Sequence, residues 1–194
     1  MIGKVAQRRE ERTAEIVAAA WELSRIHGIG GLSLHALARE VGMRQPSLYV
    51  YFDSKHELYD AMFADGNRQL LEQLTALDLP TDPRAAVKTF MRAFVEFAVG
   101  DRERDALLFH RPIPGFEPSA ASYERAQAVL ARAVAILDTA GLDSPDDVDC
   151  FIAMIAGLID AQVANDPDGD RWTRHLERLI DLYLDDARRR RLHR

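Results

Sequence analysis

The chain has 194 residues, 47% of them apolar and 29% charged, with a formal net charge of −6. That composition excludes a disordered or collagen-like chain and supplies enough apolar side chain for a core without staples. No apolar run approaches the roughly 18 residues of a membrane-spanning helix, so no membrane association is expected. The opening MIGKVAQRREERT has no apolar segment behind its basic residues and does not read as a secretory signal. The lone Cys150 has no internal disulfide partner, and a cytoplasmic location is expected. Charge is uneven: residues 1–52 hold seven basic and five acidic residues, the remainder 18 and 26. A mildly basic head on an acidic body suits a local contact with nucleic acid, not a chain that coats it along its length.

In chain order, nearly every segment reads as helix, with no persistent β-branched alternation. Ile16, Val17, Ala20, Leu23 and Ile26 form one apolar face of a helix over about 13–27, stopped by Gly28. Ser33 is a cap for a short helix over about 34–41, and Gly42 breaks it. Pro46 suits the first turn of a third helix over about 45–51. The capping box Ser54-x-x-Glu57 opens a fourth helix, ending near Leu77. Asp82-Pro83 opens a fifth to Val99, and a short sixth spans about 102–109. Three prolines and a glycine within residues 111–118 force a loop. A seventh helix covers about 119–140, and Ser144-Pro145 opens an eighth reaching Asn165. A ninth is predicted over about 170–191. The expected fold is all-α, about nine helices, without repeats.

Leu34 to Phe52 carries the chemistry. Two short helices packed steeply need a small contact residue, a turn residue tolerant of positive φ, and an apolar anchor on the second helix. Ala38, Gly42 and Leu48 supply these at the spacing of a helix-turn-helix. Arg44, Gln45, Ser47, Tyr49 and Tyr51 are left for the outer side of the second helix, where they can bond phosphates or base edges. A three-helix cluster with a tight turn can also be a purely structural element.

At these residues the sequence resembles the DNA-binding domain of the TetR family of bacterial repressors. The matching stretches are Gly28-Ile29-x-Gly31-Leu32-Ser33, Gln45-Pro46-Ser47-Leu48-Tyr49, and Tyr51-Phe52-x-Ser54-Lys55-x-Glu57-Leu58. The resemblance implies a helix-turn-helix domain over residues 10–70, with the motif at 33–52, and a ligand-binding and dimerisation domain over 71–194. It implies that Tyr49 and Lys55 hold phosphates, that Gln45, Ser47 and Pro46 face bases, and that Ser33 is among the DNA-binding residues. Arg44 reads guanine or grips phosphate. Position 35, often basic in the family, is His35 here, mostly neutral at pH 7. Arg8, Arg9 and Arg12 read either as a minor-groove arm or as a solvated tail interleaved with Glu10 and Glu11.

The fifth helix is apolar nearly all round. Phe90, Phe94 and Phe97, with Met62, Phe63, Phe109, Phe116 and Tyr123, are either packed core or the walls of a cavity. The resemblance favours a cavity, with His110, Gln127 and Asp160 as the polar groups that orient an unidentified small-molecule effector. Two late stripes suggest an isologous four-helix dimer interface: Phe151, Ile155, Leu158 and Ile159, then Trp172, Leu176, Leu179 and Tyr183. The alternative is that both stripes pack on the subunit's own core. Arg188–Arg191 complements a helix C-terminus, and Cys150 is expected to be buried and inert.

No enzyme is expected. The histidines are scattered, and no zinc spacing, nucleophile elbow, phosphate loop or dinucleotide fingerprint occurs. The sequence reads as a homodimeric regulator without metal or cofactor. It would bind a near-palindromic double-stranded DNA operator as a repressor and be released by a small molecule. The open alternatives are an activator, a regulator that requires its ligand, or a helical ligand-binding protein whose head no longer binds DNA.

Overall fold

Local capping chemistry sets most helix starts. In the computed structural model, which describes residues 2–192, nine α-helices and two short 3-10 turns make up the regular structure, with no strand among the described residues. They are α1 (Ile2–His27), α2 (Leu34–Glu40), α3 (Gln45–Leu48), α4 (Lys55–Thr75) and α5 (Pro83–Val99). Then follow α6 (Arg102–Phe109), α7 (Ala120–Thr139), α8 (Pro145–Asn165) and α9 (Leu176–Leu192). Ser33, Asp82, Asp101 and Ser144 each accept a hydrogen bond from the backbone N–H three residues on, opening α2, α5, α6 and α8. Ser54 does the same for Glu57 at 3.1 Å, while the Glu57 carboxylate reaches back to the Asp53 N–H.

Three boundaries differ from the periodicity. Helix α1 begins at Ile2, not near Thr13. Its added turns are good helix formers, and Gln7 bonds Glu11 at 3.1 Å across one turn. Thus Arg8, Arg9 and Arg12 lie on a helix. Helix α3 ends at Leu48, and Tyr49–Tyr51 form a turn. Helix α9 begins at Leu176, because the buried Gln162 takes over the backbone groups that precede it. Its Oε1 accepts from Trp172 N–H at 2.9 Å and Thr173 N–H at 3.2 Å, and its Nε2 donates to Gly169 C=O at 3.0 Å.

The chain divides into two compact units. One holds the residues up to Arg68 together with Asp101–Ala126; the other holds Gln69–Gly100 and the chain from Gln127 onward. In the first, Ile16, Ala20, Leu37, Leu48, Leu58 and Met62 form a continuous buried core. Trp21 Nε1 donates to Asp65 at 3.1 Å along its edge. Gly66 admits Leu108 so closely that a Cβ there would lie 3.1 Å from it, which brings α6 onto α4.

In the second unit α5 packs against α8 and α9. Val87, Phe90, Phe151, Ile155, Ile180 and Leu184 are buried there. Arg84 and Lys88 of α5 pair with Asp181 of α9 at 2.9 and 2.7 Å. The terminal arginines are also engaged: Arg190 bonds Asp147 and Arg191 bonds Asp143, each at 2.7 Å. Cys150 is exposed, against expectation, because the buried side of α8 is taken by Val148, Phe151 and Ile155.

Candidate nucleic-acid interface

The site grows from the α2–α3 turn. Val41 N–H bonds Leu37 C=O, Gly42 N–H bonds Arg39 C=O, and Met43 N–H returns to Ala38 C=O at 2.7 Å. This reversal needs Gly42 at φ +67°, in the left-handed region that costs a side-chain-bearing residue energy. Ala38, at the contact, is buried. Arg44 stands at the N-cap position of α3 with extended backbone and no side-chain cap bond, and Pro46 occupies the first turn.

A four-residue helix cannot hold itself together, since nucleation alone is unfavourable. Its anchor is Leu48, 1% exposed in the core of the first unit, with Phe52 buried behind it. Burying Leu48 turns Arg44, Pro46 and Tyr49 outward, with Gln45 and Ser47 half-buried. Tyr49 is 46% exposed. Among the described residues, the side chains of Arg44, Gln45 and Tyr49 make no hydrogen bond or ion pair. They are donors and acceptors held ready for an outside partner. Ser33 and His35, at the start of α2, are exposed as well.

Two expected contact residues sit differently. Tyr51 is half-buried and packs against the core, because α3 stops at Leu48 and the turn brings it back inward. Lys55 is half-buried. Its Nζ donates to Gly30 C=O at 3.3 Å and lies 5.3 Å from the centre of the Tyr59 ring. The Tyr59 hydroxyl donates to Ile29 C=O at 2.8 Å. The 3-10 turn at Ile29–Gly31 is thereby held to the start of α4.

Two further residues act on this motif. Arg9 donates to Val50 C=O at 3.0 Å, and Arg12 donates to Val41 C=O. The signal for them is periodicity: Arg9, Arg12, Ile16 and Ala20 share one helix face once the helix extends back to residue 2.

The candidate pocket residues are divided between the units. Met62, Phe63 and Phe116 belong to the core of the first, where Phe116 lies 5.9 Å from the Tyr59 ring. Phe109 and Tyr123 are exposed, and His110 Nε2 is 3.1 Å from Asp105. Phe90 and Phe97 are buried and Phe94 half-buried in the second unit, while Gln127 and Asp160 are exposed. A cavity of about 270 Å³ in the second unit is lined by Arg84, Gly141, Leu184, Arg188 and Arg191 among others, and by none of these candidates.

The expected interface residues also sit differently. Phe151, Ile155, Leu158, Ile159 and Leu176 are buried within their own subunit, and Trp172, Leu179 and Tyr183 are half-buried. Tyr183 stacks edge-on to Phe151 at 5.5 Å and donates to Asp147 C=O at 2.9 Å. The subunit's own core takes the most apolar sector of each helix. What α8 leaves exposed is a second face bearing Ile152, Ala153, Ala156, Gly157 and Asp160.

Residues 16–62 match the family model for bacterial regulatory proteins of the tetR family. The chain is 32% identical over 139 residues to the HTH-type transcriptional regulator Rv1816 of Mycobacterium tuberculosis. That match covers 69% of this chain and 57% of the relative, so the chain spans little more than half of that protein. It is 28% identical over 174 residues to the HTH-type transcriptional activator FasR of Mycolicibacterium smegmatis, covering 89% of this chain and 77% of FasR. The fold is shared with BioQ, solved with its double-stranded DNA operator, at a TM-score of 0.60 and 22% identity over 90% of this chain and 96% of that one. The family model thus falls on the residues that build the helix-turn-helix, and that segment of the chain is of the tetR type of bacterial regulatory proteins.

Proposed function

We propose that the protein is a transcriptional regulator that binds a near-palindromic double-stranded DNA operator as a homodimer. The observation that carries this reading is the unpaired set of exposed Arg44, half-buried Gln45 and exposed Tyr49, at and on either side of a short helix anchored by Leu48. Such a helix enters the major groove with its N-terminal residues toward the bases. Gln45 bonds adenine, Arg44 guanine or phosphate, and Ser33, His35, Pro46, Ser47 and Tyr49 complete the contact. That BioQ was solved on an operator supports the DNA partner. Among the described residues no helix is long and apolar enough to cross a membrane, which is compatible with work on cytoplasmic DNA.

Pairing of two subunits through the exposed Ile152, Ala153, Ala156 and Gly157 face of α8 would give the two-fold symmetry of such an operator. The effector is an unidentified small molecule whose binding opposes that of DNA through differential affinity for two states. Repression is the proposed sign. The name of FasR as an activator favours the second reading, in which DNA binding promotes transcription.

The test is selection of host genomic fragments by the purified protein at about 150 mM salt, near physiological ionic strength. Enrichment of a few palindromic sites is expected. Weak, uniform recovery of all fragments would overturn the reading, and transcription from an enriched promoter with and without the protein decides the sign.

A further inference from the structure

Arg9 and Arg12 bond the two ends of the segment that carries the recognition helix. Arg12 donates to the carbonyl of Val41, the residue just before the left-handed Gly42. Arg9 donates to the carbonyl of Val50, two residues after α3 ends and beside the exposed Tyr49. A four-residue helix takes its direction from its anchors. Leu48 and Phe52 fix its depth, and Met43 and Tyr51 pack against the same core on either side of it. A guanidinium at each flanking turn adds a directional restraint to these apolar contacts. Each also satisfies a carbonyl near a helix C-terminus, where a cation is favoured. Glu15 pairs with Arg12 at 2.5 Å and holds it in place, and the Thr13 hydroxyl bonds Arg9 C=O one turn along.

We infer that Arg9 and Arg12 are positioning residues that set the direction of the recognition helix before DNA arrives. In this role the first three turns of α1 form a brace for α3, not a second DNA-contacting arm. The inference rests on the proposed DNA-binding reading, and its test separates the two.

In the free protein, Arg9→Ala/Arg12→Ala is expected to speed backbone amide exchange at Gly42–Gln45 and Tyr49–Phe52 by about tenfold, while the amides of α5 and α8 keep the wild-type rate. On a fragment enriched by the wild-type protein, affinity is expected to fall about tenfold, the lower end for hydrogen bonds from charged groups. On random-sequence duplex of equal length it should fall less than about twofold. The salt slope should stay unchanged, because no phosphate contact is lost. Unchanged exchange rates overturn the inference. So do equal losses on both DNAs with a slope lower by about one per arginine, which would make them phosphate ligands. If the double variant loses helix, Arg9→Lys and Arg12→Lys carry the test. Each keeps a donor cation and should restore exchange toward the wild-type rate, while Arg9→Met and Arg12→Met keep side-chain length and helix propensity without a donor and should speed it; wild-type exchange in both Met variants overturns the brace. Should the wild-type protein enrich no fragment, the DNA-binding reading fails, and the exchange rates still decide the brace.

Discussion

Arg25 donates to a single oxygen of Asp101 from both Nε and Nη2, at 2.9 and 2.7 Å, and so ties α1 to the residue that caps α6. Asp101 is 8% exposed, and its other oxygen caps α6 through the Arg104 N–H at 3.1 Å. One carboxylate thus does two jobs in the first unit. Next to it, the Glu103 carboxylate accepts from Ile29 N–H at 2.5 Å, joining α6 to the turn that precedes the helix-turn-helix.

Asp101→Ala should therefore cost more than a simple cap. Losing the cap contributes about 1 kcal/mol and the charged hydrogen bonds about 1–2 kcal/mol more, discounted because Arg25 is partly exposed. Urea unfolding is the check. A loss below about 0.5 kcal/mol, the range of ordinary surface changes, would show that the pair contributes little.

Gly42 isolates backbone cost from crowding. A Cβ built there meets nothing within 4 Å, so only the positive φ penalises a substitution. Gly42→Ala should destabilise by about 1–2 kcal/mol, the cost of the left-handed region, and Gly42→Asn by less. Equal losses for the two variants in thermal unfolding would point to some other cause.

Base reading and backbone holding separate by specificity. Gln45→Ala should lose about 1–3 kcal/mol on an enriched site, little on random DNA, and relax preference at one base pair. Tyr49→Phe removes one hydroxyl and should weaken all sites alike. Titration of both variants on single-base variants of the enriched site gives the comparison. Equal losses for Gln45→Ala on cognate and random DNA would remove its base-reading role.

Asp181 predicts an acid limb of stability in the second unit. Hydrogen bonds from Lys88 and Arg84, set against the opposing effect of burial, hold its carboxyl below the ordinary aspartate value of about 3.9. A group depressed on folding stabilises fully above its unfolded value and loses that contribution as pH falls through the folded one. Unfolding free energy should therefore drop below about pH 4, and less steeply in Asp181→Asn. The effect should shrink with salt, since the pair is partly exposed. Identical acid limbs for the two proteins would rule out Asp181 as a source.

By itself, the sequence determined what depends on neighbours along the chain. Caps at Ser33, Ser54, Asp82 and Ser144 act over three residues, and prolines and glycines break helices where they stand, so the helix count and most starts were legible. So was the Ala38–Gly42–Leu48 spacing, because both helices and their turn lie within one short stretch. Tertiary structure decided which of several apolar faces is used. Phe151 and Ile155 have the periodicity of an interface, and only the nearness of α5 and α9 shows that their own subunit claims them. It also decided what long side chains reach. Periodicity places Arg9 and Arg12 on a helix face, but Val50 and Val41 are brought to them by the fold, 41 and 29 residues along the chain. Gln162 illustrates the same limit: a polar residue in an apolar helix has no visible purpose until the chain returns and presents the amides of Trp172 and Thr173 to it.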